Sequence, residues 1–187
     1  MNRAVHGLAA FGLGLAVAAC SDPAAPGLSA GILSGRNGAA LTTDSSEYTA
    51  TYIGGDGPYR SHGFRVVARF ENQTLRTLYL ARCFPDTPVP IFGVQLEGAG
   101  DSWGSAYNPA WACVGHDNQI VVPPAQSRTD TLLIRGPTAF DGRTGQHFGT
   151  LTGRMRLVYQ VQTCRGDGEC RLEGAAVSAP FSVDLAD

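Results

Sequence analysis

The sequence predicts an all-β, antiparallel sandwich of about seven or eight strands. Three observations lead there. From Glu47 onward, short runs rich in Val, Leu, Tyr, Phe and Thr are separated by Gly, Pro, Asn and Asp. Inside those runs apolar residues alternate with period two, as strands with one buried face require. Gly and Pro interrupt every stretch before an amphipathic helix of about ten residues could form.

The chain starts differently. Arg3 precedes an uncharged run, Gly7 to Ala19, that is too short and too rich in Gly and Ala for a comfortable membrane span, which needs about 20 apolar residues. A basic start, an apolar run and small residues at its end describe a secretory signal, placed at residues 1–19. The run ends Leu15-Ala16-Val17-Ala18-Ala19-Cys20. The segment Val17–Cys20 resembles the lipobox of bacterial lipoproteins. That resemblance implies cleavage before Cys20, a diacylglycerol on its thiol and attachment to a membrane of the cell envelope. Two acyl chains hold stably where one is marginal, at about 0.8 kcal/mol per buried CH₂. Ser21 follows the cysteine and Asp22 comes one place later, which by the same resemblance favours the outer membrane, facing the periplasm or the cell surface. Residues 20–46 are Ala, Gly, Ser, Pro and Thr with few large side chains, and read as the lipidated N-terminus and a flexible tether. Residues 47–187 are then the exported domain.

Strands are expected at Tyr48–Ile53, Phe64–Glu71, Thr77–Arg82, Ile91–Leu96, Asn118–Val122, Arg128–Ile134, Arg154–Gln162 and Ala176–Leu185. The clearest alternation puts Phe64, Val66, Ala68 and Phe70 on one face. A second puts Met155, Leu157, Tyr159 and Val161 inward, against Arg154, Arg156, Gln160 and Gln162. Asn72-Gln73-Thr74 reads as a turn that returns the chain along Thr77–Arg82 as the partner of Phe64–Glu71. Pro123 to Ser127 reads as the turn between two later strands. Three pieces in order, Phe70-Glu71-Asn72, Gly100-Asp101-Ser102-Trp103 and Pro123 to Leu133, are similar to Ig-like domains of the intracellular proteinase inhibitor family. The likeness implies an Ig-like sandwich, and as an alternative function a proteinase-inhibitor-like module of the cell envelope. The antibody-type Cys…Trp…Cys pattern is absent.

Besides Cys20 the chain has Cys83, Cys113, Cys164 and Cys170. An even number in an exported domain reads as two disulfides, with three possible connectivities. Cys164 and Cys170 enclose the turn-forming Arg-Gly-Asp-Gly-Glu and are expected to pair, which leaves Cys83 with Cys113. The loops closed are worth roughly 2–2.5 and 3.5–4 kcal/mol by chain entropy. The spacings lack the close C-x₂₋₄-C pairs of a zinc site.

All 14 basic residues are arginine, and the net charge is -2. No basic run suggests nucleic acid. Gly27-Leu28-Ser29-Ala30-Gly31 fits the nucleophile pattern G-x-S-x-G but lies in the tether, without the strand and helix that chemistry needs. His62, His116 and His147 are scattered and have no ligand spacing; Asp101 and Asp141-Gly142 sit in turn contexts. Arg165-Gly166-Asp167 is an RGD tripeptide, and also what a tight turn demands. No metal or cofactor is implied. With no nucleophile, carboxylate pair or metal set at strand ends, the domain reads as a non-enzymatic binding or structural module for a protein or glycan ligand. The candidate recognition surface is the aromatic stretch Trp103, Tyr107 and Trp111, expected as a loop beside Cys113.

Overall fold

The computed structural model describes residues 38–55, 61–82, 87–107, 118–136, 139–141, 146–148, 151–165 and 169–186. In these residues the protein is all-β. In chain order the strands are β1 (Ala39–Thr43), β2 (Glu47–Gly54), β3 (Ser61–Asn72), β4 (Leu78–Arg82), β5 (Phe92–Glu97), β6 (Trp103–Tyr107), β7 (Asn118–Val122), β8 (Ser127–Gly136), β9 (Ala139–Asp141), β10 (Gln146–Phe148), β11 (Gly153–Cys164), β12 (Cys170–Val177) and β13 (Phe181–Leu185). A 3-10 turn at Ala99–Asp101 precedes β6. Eleven strands form one curled sheet, and β9 and β10 pair separately.

The sheet consists of two groups of strands. In the first, β8 runs along the length of β3, from His62 opposite Gly136 to Glu71 opposite Ser127. On its other side β3 carries β1 along one half and β2 along the other. In the second group β11 is central. It pairs with β12 and β13 on one side and with β4 and β5 on the other; β7 lies beside β4 and β6 beside β5. The groups are joined where β13 pairs with β2, Ser182 opposite Glu47 through Leu185 opposite Ala50. That pairing is parallel, so the sheet is mixed rather than purely antiparallel as expected. The strands also outnumber the seven or eight expected. Bulges and inserted loops cut longer lines into halves, so that β12 and β13 share one edge of β11, and β4 and β5 the other.

The alternation read from the sequence is what builds the core. Val66, Ala68 and Phe70 of β3, and Met155, Leu157, Tyr159 and Val161 of β11, are all 0% exposed. Phe70 stacks on Tyr159 at 6.3 Å, and Phe64 meets Phe181 edge-on at 6.3 Å, so the two groups pack through aromatic rings. Each such ring or branched side chain contributes about 1.5–3 kcal/mol by leaving water. Gly153 opens β11 at φ 111°, where a Cβ would also lie 3.1 Å from Leu96 Cδ1. Only glycine suits both conditions.

Two further expectations need correction. The tether was expected to reach residue 46, yet β1 lies inside it, paired with β3 and with Ala39 and Leu41 buried. Small residues suit a buried edge strand as well as a linker, and composition cannot separate the two. The junction between β1 and β2 is a defined kink. The Asp44 carboxylate accepts from the Tyr48 hydroxyl at 2.7 Å and from the Val67 N–H at 2.9 Å. Slight burial works against that carboxylate, but these bonds hold its pKa below the ordinary value. Burial, and then the bond to Asp44, push Tyr48 up to about 12.

Second, β4 is not the partner of β3. The buried Asn72 amide donates to Arg76 O at 2.7 Å and Val122 O at 2.8 Å, and its Oδ1 accepts from Thr74 N at 3.0 Å. This knot swings the chain across to the other group, where β4 pairs with β7 and β11. Of the two expected disulfides, Cys164–Cys170 is present as expected, joining residues directly opposite on β11 and β12. Cys83 and Cys113 lie outside the described residues, as do Cys20 and the signal.

Candidate functional site

The aromatic stretch expected as a loop is largely strand. Trp103 and Tyr107 are the two ends of β6, an outer strand paired with β5. Along an unbroken strand they would share a face, since side chains alternate with period two. A register shift between Val94 and Gln95 prevents this: Ser105 faces Gln95, while Tyr107 faces Val94. The extra residue turns both Ala106, which is buried, and Tyr107 toward the core. Tyr107 packs against Phe92 at 5.8 Å, and burial raises its pKa despite the nearby Arg135. Trp103 keeps the outward direction. The two rings therefore do not form one surface, and Trp111 lies outside the described residues.

What Trp103 meets on the outer face comes from the central strand. The Arg156 guanidinium of β11 lies over its ring at 4.1 Å from the centroid. A cation over a tryptophan face is held by the ring quadrupole. Arg156 Nε donates to Gln95 Oε1 at 2.8 Å, which fixes the guanidinium plane. Its pKa is lowered by burial alone. Its neighbour on the same face, Arg154, instead donates to both oxygens of Glu97, at 3.0 and 3.2 Å. The result is a polar face with one aromatic ring, one neutralised arginine, and one arginine, Arg156, that has no carboxylate partner among the described residues. Such a face can stack on a flat apolar surface, accept hydrogen bonds and attract an anion. The alternation in β11 had already placed Arg154 and Arg156 outward. The meeting of Arg156 with Trp103 depends on the β5–β6 register, for which the sequence gives no signal.

A concave region lies at the other end of β11. A cavity of about 520 Å³ is lined by Arg76, Tyr79, Cys164, Arg165, Glu169 and Arg171 among others. Glu173 stands beside it, accepting from Arg76 at 2.7 Å and from Thr163 at 3.0 Å. Those bonds, from Arg76 first, lower its pKa. Of the RGD tripeptide Arg165 is described, and Gly166 and Asp167 lie outside. His62 lies in β3, its ring 6.0 Å from Tyr52; His116 lies outside the described residues, and His147 belongs to β10. Among the described residues no group of three His, Cys, Asp or Glu side chains could hold a metal ion.

No family model matches the chain. No curated protein matches it significantly. Among solved structures, one described as the X-ray structure of Northeast Structural Genomics Consortium target SoR45 is similar at 14% identity with a TM-score of 0.38, covering 79% of this chain and 86% of that one.

Proposed function

We propose that the protein is a lipid-anchored, non-enzymatic binding module of the bacterial envelope, presenting the outer face around Trp103 to a protein or glycan ligand. The anchor rests on the lipobox-like run ending at Cys20. The recognition face rests on one observation, the Arg156 guanidinium stacked over Trp103 at 4.1 Å on an outer sheet face. The domain itself is an Ig-like sandwich. β1 pairs with β3 and β2 runs parallel to β13, so one line of chain serves both groups, as the first strand of such domains does. A second disulfide, Cys83–Cys113, completes it, and a non-reducing peptide map reads that linkage directly.

The anchor is tested by metabolic labelling with palmitate. Wild type takes the label and sediments with membranes; Cys20→Ser loses the label. A Cys20→Ser variant labelled and processed like wild type removes the anchor. The face is tested by Trp103→Ala, with purified peptidoglycan and the soluble envelope protein fraction as probes. A cation–π pair at a partly exposed site is worth about 0.5–1 kcal/mol, so the melting temperature falls little while retention of the probe drops about tenfold. Unchanged retention, no retention by wild type, or a loss of stability of core size each sinks the reading.

A further inference from the structure

Hydrogen bonds around β3 fix which way each residue of β8 points its backbone. On the side of β3 away from β8, Gln73 N–H donates to Gly38 O at 3.1 Å and Asp44 N–H to Val67 O at 3.0 Å, while Val67 N–H donates to the Asp44 carboxylate. Odd-numbered residues of this line therefore turn away from β8. Even-numbered ones turn toward it, as Asn72 N–H does in donating to Gln126 O at 2.9 Å. An antiparallel ladder keeps that alternation wherever its register is unbroken, and here it is unbroken from His62 opposite Gly136 to Glu71 opposite Ser127. Arg128, Asp130, Leu132 and Ile134 thus give their N–H and C=O groups to β3. Ser127, Thr129, Thr131, Leu133 and Arg135 direct theirs to the other edge, where no described strand pairs with β8.

Edge strands usually carry a device that turns a second strand away: brevity, proline, lysine or a bulge. β8 has ten residues, no proline, no lysine and no bulge. Its inward charge, Asp130, is already neutralised by Arg128. The residues with free backbone groups are exposed, apart from the half-buried Leu133. We propose that this edge pairs with β8 of a second copy of the chain, antiparallel about a two-fold axis through Thr131. In that register the strand is complementary to itself. Thr131 meets Thr131, Thr129 faces Leu133, and Ser127 faces Arg135. The two Arg135 side chains lie at opposite ends, Arg128 falls opposite Ile134, and no like charges are opposed. Moving the axis to Asp130 sets two carboxylates face to face, which disfavours it. β6 comes near β8 at the Arg135 end, beside Tyr107, without pairing with it, so the centre of the edge is the part that is open.

The test follows the full chain with Cys20→Ser, so that no lipid contributes, by analytical ultracentrifugation from micromolar to millimolar concentration. Residues 1–19 are common to every variant, so the change between variants is the readout. The expected result is a reversible monomer–dimer equilibrium. Thr131→Pro removes an N–H that β3 does not use, so the fold is kept while both central bonds of the dimer are lost. The dissociation constant then rises at least about tenfold. Thr131→Glu, which sets like charges on the axis, weakens the dimer in the same way, and salt relieves the effect. Circular dichroism checks that both variants are folded; if the proline variant unfolds, the glutamate variant decides. Amide exchange locates the contact. In the parent chain the amides of Thr129, Thr131 and Leu133 gain protection as concentration rises, while those of Asp130 and Leu132 are protected throughout. A monomer at every concentration or a dimer indifferent to the variants overturns the proposal. So does protection of Thr129, Thr131 and Leu133 in the monomer, which would mean that the chain covers this edge itself.

Discussion

Asp130→Ala lowers the stability of the domain by about 3–5 kcal/mol, the cost of leaving a buried ion pair with one partner. The Asp130 side chain is 2% exposed and lies between the two groups of strands. Arg128, two residues earlier on β8, grips it from the side: Nε donates to both carboxylate oxygens, at 3.0 and 2.9 Å, and the terminal nitrogen completes the fork. From across the core the Tyr159 hydroxyl donates to Oδ2 at 3.2 Å. Burial, and then Asp130, raise the pKa of Tyr159. Arg128 also donates to Pro88 O at 2.9 Å, so the cluster ties β8, β11 and the segment before β5 together. Alanine strands the guanidinium and the phenol at once. Chemical denaturation measures the loss. Asp130→Leu with Arg128→Met, which removes both charges, recovers most of it; a change under about 1 kcal/mol for Asp130→Ala would show the cluster to be ornamental.

Phe181→Ala costs about 3–5 kcal/mol by the cavity it leaves. Phe181 begins β13, is 2% exposed, meets Tyr48 of β2 edge-on at 5.1 Å and Phe64 of β3 at 6.3 Å. These three rings sit where the parallel β2–β13 pairing joins the two groups. The loss is therefore uneven. Amide hydrogen exchange speeds up first at Ser182–Leu185 and along the facing part of β2, while β3 and β8 keep their protection. A uniform rise across the sheet would contradict this placement.

Much of the fold was legible because its signal is local. The alternation of Phe64 to Phe70 and Met155 to Val161 gave strand, face and core together. What failed was long-range pairing. Nothing near Thr77 says that β4 pairs with β11; the Asn72 knot decides it, and Asn72 reads equally as an ordinary turn residue. β1 was lost because Ala39, Ala40 and Leu41 carry too little apolar mass to separate a strand from a linker. Ala176–Leu185 was read as one strand because the break at Ser178-Ala179-Pro180 is short. At the candidate site Trp103 was visible by residue type alone. Its separation from Tyr107 follows from one inserted residue in β6, and a one-residue shift changes every face downstream of it.

The parallel pairing of β2 with β13 has a consequence in time. It brings Glu47 against Ser182, residues near opposite ends of the folded chain. Closing so long a loop is entropically expensive and places the domain among high-contact-order topologies, which fold in milliseconds to seconds rather than microseconds. A chain released N-terminus first carries β2 with that edge unpaired, and Tyr48 and Phe64 without their third ring, until β13 has emerged. Most of the domain must be held open until its last strand arrives, and a chain cut short before Phe181 would keep a sticky edge instead of a sealed one.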